Sequence, residues 1–154
     1  MATDRDEILR LLDASIRLLD DERYDQWLEL FAPDATYLIV CKDGVTELGS
    51  HMVDTDRQGI AARIELLKDP SRVRVNTAVS HLVSWGPIDF VDKDTALIAS
   101  RFALFETRNT DGVTKLGYVG HYEDRLMRVN GTWRFASRKA VLDTMNFRAL
   151  LAPI

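Results

Sequence analysis

Tyr118-Val119-Gly120-His121-Tyr122-Glu123-Asp124-Arg125-Leu126-Met127-Arg128-Val129, then Asn130-Gly131, then Thr132-Trp133-Arg134-Phe135-Ala136-Ser137-Arg138-Lys139-Ala140-Val141-Leu142-Asp143: two strand-like runs meet at a dipeptide made for tight reversal. A type I′ turn needs positive φ at both central residues, which Asn and Gly tolerate, and its handedness matches the twist of paired strands. Residues 114–129 are therefore expected to pair with residues 132–143. Gly117 and Gly120, inside residues 114–129, mark bends or bulges of a curved sheet.

Working upstream, residues 95–108 read as another strand, closed by the loop Asn109-Thr110-Asp111-Gly112. Before it, Val73, Val75, Thr77, Val79, His81, Val83 and Trp85 alternate on one face until Gly86-Pro87 ends the run. The first third of the chain keeps a helical period instead. Ile8, Leu11, Leu12, Ser15, Ile16 and Leu19 form one apolar face, with Thr3 or Asp4 as N-cap and Asp6 and Glu7 at the positive helix end. Tyr24, Trp27, Leu28 and Phe31 make a second, shorter helix that Pro33 stops. A strand at 36–41 follows. A third helix starts at Thr55 or Asp56 and runs to Lys68, with Ile60, Ile64 and Leu67 inward and Asp69-Pro70 ending it. Helices in front and a strand meander behind predict an α+β class, the helices covering one face of a curled antiparallel sheet. No repeat or linker interrupts the chain, so residues 1–154 are read as a single domain.

Composition narrows the function. Twenty Lys and Arg against 24 Asp and Glu give a net charge of -4, which removes the basic footprint of a nucleic-acid binder. The densest apolar run, Tyr37-Leu38-Ile39-Val40-Cys41, is far shorter than the roughly 18 residues that span a bilayer. With a polar, acidic start and one cysteine, Cys41, the expected setting is the cytoplasm, with no membrane partner.

Metal chemistry finds few ligands: His51, His81 and His121 are dispersed, and one cysteine excludes a two-Cys, two-His Rieske site within this chain. His51 with Asp54 and Asp56 reads as a solvated loop before a helix. Gly117-Tyr118-Val119-Gly120 does not open a helix and so cradles no phosphate. The one candidate catalytic grouping is an interior cleft with His81 on an apolar strand face, His121 on the next strand, and Tyr24, Tyr37 and Tyr118 within reach. A His paired with Asp or Tyr there would serve as general base and acid. The competing reading makes His81 a hydrogen-bonded core residue. Arg101, Arg108, Glu123, Asp124, Arg125, Arg134, Arg138 and Lys139 interrupt the strand patterns, and are assigned to a solvated outer face or a polar subunit interface. With these arginines, Trp85, Trp133 and Phe135 are expected to supply surface for self-association.

The segments together resemble a known family. Residues 18–37, from Leu18-Leu19-Asp20-Asp21-Glu22-Arg23-Tyr24 to Phe31-Ala32-Pro33-Asp34-Ala35-Thr36-Tyr37, look like the opening of the small (beta) subunits of aromatic-ring-hydroxylating dioxygenases. Ser100-Arg101-Phe102-Ala103-Leu104-Phe105-Glu106-Thr107-Arg108, Gly120-His121-Tyr122-Glu123-Asp124-Arg125-Leu126 and residues 131–143 resemble that family's three C-terminal strands in order and spacing. The opening alone also resembles the wider group of scytalone dehydratase, ketosteroid isomerase and nuclear transport factor two. The resemblance implies a cone-like, cystatin-like α+β fold and a non-catalytic chain that supports a large (alpha) oxygenase subunit in aromatic compound catabolism. It implies a trimer of small subunits within a mixed hexamer of three large and three small chains. The Rieske [2Fe-2S] cluster and the mononuclear non-haem iron would then belong to the large subunit, with no cofactor, metal or catalytic residue in this one. The rival is a stand-alone cone-fold dehydratase or isomerase using His81, Tyr24, Tyr37 and His121.

Overall fold

A computed structural model describes residues 3–42, 50–68, 77–143 and 153–154. Helix α1 (Asp4–Asp20) begins at a capping box: Thr3 Oγ1 accepts from the Asp6 backbone N–H at 3.2 Å, and the Asp6 carboxylate accepts from the Thr3 N–H at 2.9 Å. Its buried residues are Ile8, Leu11, Leu12, Ser15, Ile16 and Leu19, the face that the helical period marks. Helix α2 (Tyr24–Leu28) is shorter than its apolar spacing implies, because Phe31 already belongs to strand β1 (Phe31–Cys41). Pro33 thus lies inside a strand. It sits where the pairing with strand β6 (Thr132–Leu142) skips from Phe31 to Thr36, so its missing N–H removes no ladder bond.

The stretch around His51 is strand β2 (Ser50–Asp56), paired antiparallel with β1, and not a loop. Helix α3 (Arg57–Leu67) follows, with the Asp56 carboxylate capping the Gly59 N–H at 2.8 Å. Strand β3 (Thr77–Asp92) runs on through Gly86-Pro87, where the register with strand β4 (Thr95–Arg108) shifts instead of ending. Val73, Val75 and Asp69-Pro70 lie outside the described residues. Strand β5 (Thr114–Val129) reverses at Asn130 (φ 49°) and Gly131 (φ 79°) into β6, as a type I′ turn requires.

The sheet order is β2-β1-β6-β5-β4-β3. Every neighbouring pair is antiparallel except β1 and β6, which run parallel and bring the helical front of the chain back onto the meander. Gly117 is the bulge residue, skipped as Leu104 pairs with Tyr118 and Phe105 with Leu116. Gly120 serves a different need. A Cβ there would lie 2.1 Å from the Val141 carbonyl oxygen, so only glycine lets the two strands approach. One buried cluster, from Ile8 in α1 through Trp27, Tyr37, Ile64, Phe102, Tyr122 and Phe135 to Ile154, fills the concave side of the curled, unclosed sheet.

Candidate functional site

The concave face carries charge at its centre. Asp124 in β5 and Arg138 in β6 are cross-strand neighbours, both fully buried, and Arg138 donates to both carboxylate oxygens at 2.9 and 2.8 Å. The guanidinium is stacked over Tyr122 and Phe135, 4.4 Å from each ring centroid, and a weaker bond at 3.4 Å reaches Ser15 in α1. Burial opposes the charge of Arg138, yet Asp124 more than offsets it and holds the guanidinium above its ordinary pKa. Burial pushes the Asp124 carboxyl up, against the pull of Arg138. These two residues are not part of a solvated face. They tie β5, β6 and α1 together in the core.

His81 is also inside, with its side chain 1% exposed. Asp20, the last residue of α1, accepts from the His81 backbone N–H at 3.1 Å and from ring Nδ1 at 2.6 Å. A carboxylate can only accept, so Nδ1 carries the proton and Nε2 is left buried without a hydrogen-bond partner. Phe102 stands between His81 (centroids 6.4 Å apart) and Tyr122 (stacked at 4.3 Å). Tyr122 has a fully buried hydroxyl without a partner, and burial raises its pKa. This His–Asp pair with a nearby phenol has the composition of a general-base site.

The other candidates do not converge on it. His121 points to the outer face, paired with Glu123 at 3.3 Å. Tyr24 is half-buried on α2, its pKa raised to about 12 by desolvation. Tyr37 is interior, but its hydroxyl is occupied: it donates to the Ile154 carbonyl at 2.7 Å and accepts from the Ile154 N–H at 2.9 Å. The sequence pattern names Asp20 and Tyr122 only within the stretches that carry the family resemblance and gives neither a role. The signal for Tyr122 was its alternation with Tyr118 and Gly120; for Asp20, its place one residue beyond the buried Leu19.

Among the described residues no group of three or more His, Cys, Asp or Glu side chains could hold a metal ion. His51 sits on the edge strand β2 beside Asp54, His81 is bound to Asp20, and His121 lies across the sheet. With Cys41 as the sole thiol, the donor set fits neither a Rieske cluster nor a mononuclear iron site.

The outer surface also departs from expectation. Trp133 and Phe135 are core residues and Trp85 is half-buried, so they do not supply exposed aromatic surface. Leu82 (65% exposed), Phe90, Val91, Leu97, Val113 and Leu116 do supply apolar surface. No helix among the described residues is long and apolar enough to cross a membrane.

Residues 1–139 match the SnoaL-like domain family. The anthranilate 1,2-dioxygenase small subunit of Burkholderia cepacia is 27% identical over 150 residues, covering 95% of this chain and 91% of that protein. A structure assigned as the beta subunit of an aromatic-ring-hydroxylating dioxygenase from Novosphingobium aromaticivorans superposes with a TM-score of 0.82 at 30% identity, over 96% of this chain and 95% of that one. The benzoate 1,2-dioxygenase beta subunit of Burkholderia mallei shares the fold at a TM-score of 0.78 and 20% identity, covering 99% of each chain. The curled sheet wrapped on its helices is the cystatin-like α+β cone. Matched from the first helix to the last strand, the chain belongs to the SnoaL-like family and, within it, to the small (beta) subunits of aromatic-ring-hydroxylating dioxygenases.

Proposed function

We propose that this chain is the non-catalytic partner of a large oxygenase subunit, supporting its assembly in cytoplasmic aromatic compound catabolism. The near full-length match to a beta subunit at 30% identity carries the reading. In it, residues 1–154 act as one domain, three copies form a trimer, and three large subunits complete a mixed hexamer. The Rieske [2Fe-2S] cluster and the mononuclear iron reside in the large subunit. Two features of this chain support the assignment. The interior polar groups Asp124, Arg138 and Tyr37 are engaged in structural bonds. The exposed leucines and Phe90 offer apolar area for burial between subunits. The contribution to the complex is mass action, since a partner that binds only folded, assembled subunits stabilises them.

Reconstitution with a large oxygenase subunit of this family tests it. Iron should follow the large subunit, and omission of this chain should cost hexamer and ring-hydroxylation activity together. Undiminished activity by the large subunit alone, or stoichiometric iron retained by this chain after dialysis, would overturn the reading.

One observation favours a second reading, a dehydratase or isomerase working alone: the 2.6 Å His81–Asp20 contact with a free Nε2. There His81 would act as general base. His81→Asn should then reduce turnover by the isolated chain by about 10²–10⁴-fold. On the subunit reading the isolated chain has no turnover, and an assembled His81→Asn hexamer keeps most of its rate.

A further inference from the structure

Strand pairing fixes which residues share the outer face with His121 and Glu123. Arg101 stands opposite His121 and Ala99 opposite Glu123; two residues further along, Leu97 lies between Arg125 of β5 and Asp89 of β3. Asp89, Leu97 and Arg125 thus form one strip across three strands: an acid on the terminal strand, a leucine 43% exposed, then a base. Asp89 and Arg125 are two strand spacings apart, about 10 Å, too far to pair with each other. Neither makes an ion pair or side-chain hydrogen bond among the described residues, and Arg101 and Arg134 on the same face are likewise unengaged.

The other charges of this face have uses within the chain. Glu123 is held by Lys139 and His121, Asp92 accepts from the Asp94 N–H at 2.7 Å, and Asp54 on the edge strand β2 sits beside His51. The exposed Asp34 lies beyond β6, in the stretch of β1 that skips pairing. Along the strip the free charges are therefore segregated, the acid at the sheet edge and the arginines toward the middle. Each sign is unmatched within one copy and matched by the opposite end of another. A contact between two different patches of identical chains is head-to-tail, and such contacts can close into a ring. Leu82 and Leu116, on the same face, add apolar area to it. We propose that this strip is where one copy of the chain holds the next, Asp89 of one copy meeting Arg125 of its neighbour with Leu97 buried between them. This rests on the self-association in the reading above and assigns it a face and a pairing. A partner acidic throughout would set like charge against Asp89, which favours a second copy as the occupant.

Velocity sedimentation of the chain, alone and with a large oxygenase subunit of this family, reads the association. Arg125→Glu and Asp89→Lys should each weaken it about tenfold or more, because each sets like charges against one another, and high salt should narrow the gap to the unaltered chain. The chain carrying both reversals should regain most of the loss, which a contact with the large subunit would not. Arg17→Glu, on the exposed side of α1, is the charge control and should associate normally. Association unchanged by either reversal, or weakened by both and not restored in the double variant, overturns the proposal while leaving the subunit reading intact. A chain that is monomeric both alone and with the large subunit overturns both. Should either reversal fail to show a cooperative unfolding transition, Leu97→Ser decides: weaker association supports the strip, and unchanged association overturns it.

Discussion

Two ion pairs stand side by side on the same two strands: Asp124 with Arg138, and Glu123 with Lys139. One residue of offset separates them, and the pleat sends one pair into the core and the other out to solvent. The inner pair is fully buried, bidentate and stacked between two aromatic rings. The outer one is a single 3.0 Å contact between side chains 40% and 49% exposed, shared with His121. Equal chemistry on paper therefore has unequal consequences. Water screens the outer charges and would solvate either one left alone, whereas the core offers a stranded charge nothing.

The largest effect should come from separating the inner pair. Asp124→Ala leaves a buried guanidinium uncompensated and should cost about 3–5 kcal/mol of unfolding free energy in denaturant titrations. The double variant Asp124→Leu with Arg138→Met should recover most of that loss; failure to recover would mean the pair is needed for the packing geometry and not only for mutual neutralisation. Arg138→Lys should fall between, because an ammonium cannot bond both carboxylate oxygens or stack on Tyr122 in the same way.

Next in size is Tyr37→Phe, which removes two hydrogen bonds from the core and should cost about 1–3 kcal/mol. The same hydroxyl has a pH signature. Burial raises its pKa from 10.0 to about 12, so the folded state favours the neutral phenol. That contribution is complete below the unfolded value near 10 and is lost as pH rises through about 12. Stability followed against pH should drop in this window, with the drop reduced in Tyr37→Phe. Near-UV phenolate absorbance should show Tyr37 ionising late.

The smallest effect belongs to the outer pair. Lys139→Ala should change stability by about 0–1 kcal/mol and less at high salt. A loss as large as that of Asp124→Ala would break the contrast and mean that this face is covered, as it would be in an assembly.

A local slip in strand register hides the inner pair from the sequence pattern. Trp133 and Phe135 face the core, and strict alternation from them sends Arg138 outward. Between Phe135 and Ser137, opposite Arg125 and Leu126, the register shifts by one residue and the inward parity changes from odd to even. A bulge of this kind leaves little trace in composition, and Ala136 is an unremarkable residue to carry it. Asp124, by contrast, shares its parity with the buried Tyr122 and Leu126, so half of the pair was readable. The α1 face and the Asn130-Gly131 turn were readable in full, because each depends only on neighbours within a few positions. The His81–Asp20 contact spans 61 positions and required the helix to be laid across the sheet before the two residues could be matched. β2 went unrecognised for a related reason: it exists as a partner of β1, and its own run, Ser50-His51-Met52-Val53-Asp54-Thr55-Asp56, has little strand character.

The carboxylate of Asp20 also answers a problem that any open sheet faces. β3 pairs with β4 on one side only, and a terminal strand of 16 residues with Leu82, Phe90 and Val91 exposed is a template on which another chain could polymerise. By taking the backbone N–H of His81, the end of α1 removes one of the hydrogen-bond donors that such growth would need, and Pro87 contributes none of its own. Asp20 is in this sense a guard against aggregation, and solubility on standing would register its loss before any change in fold.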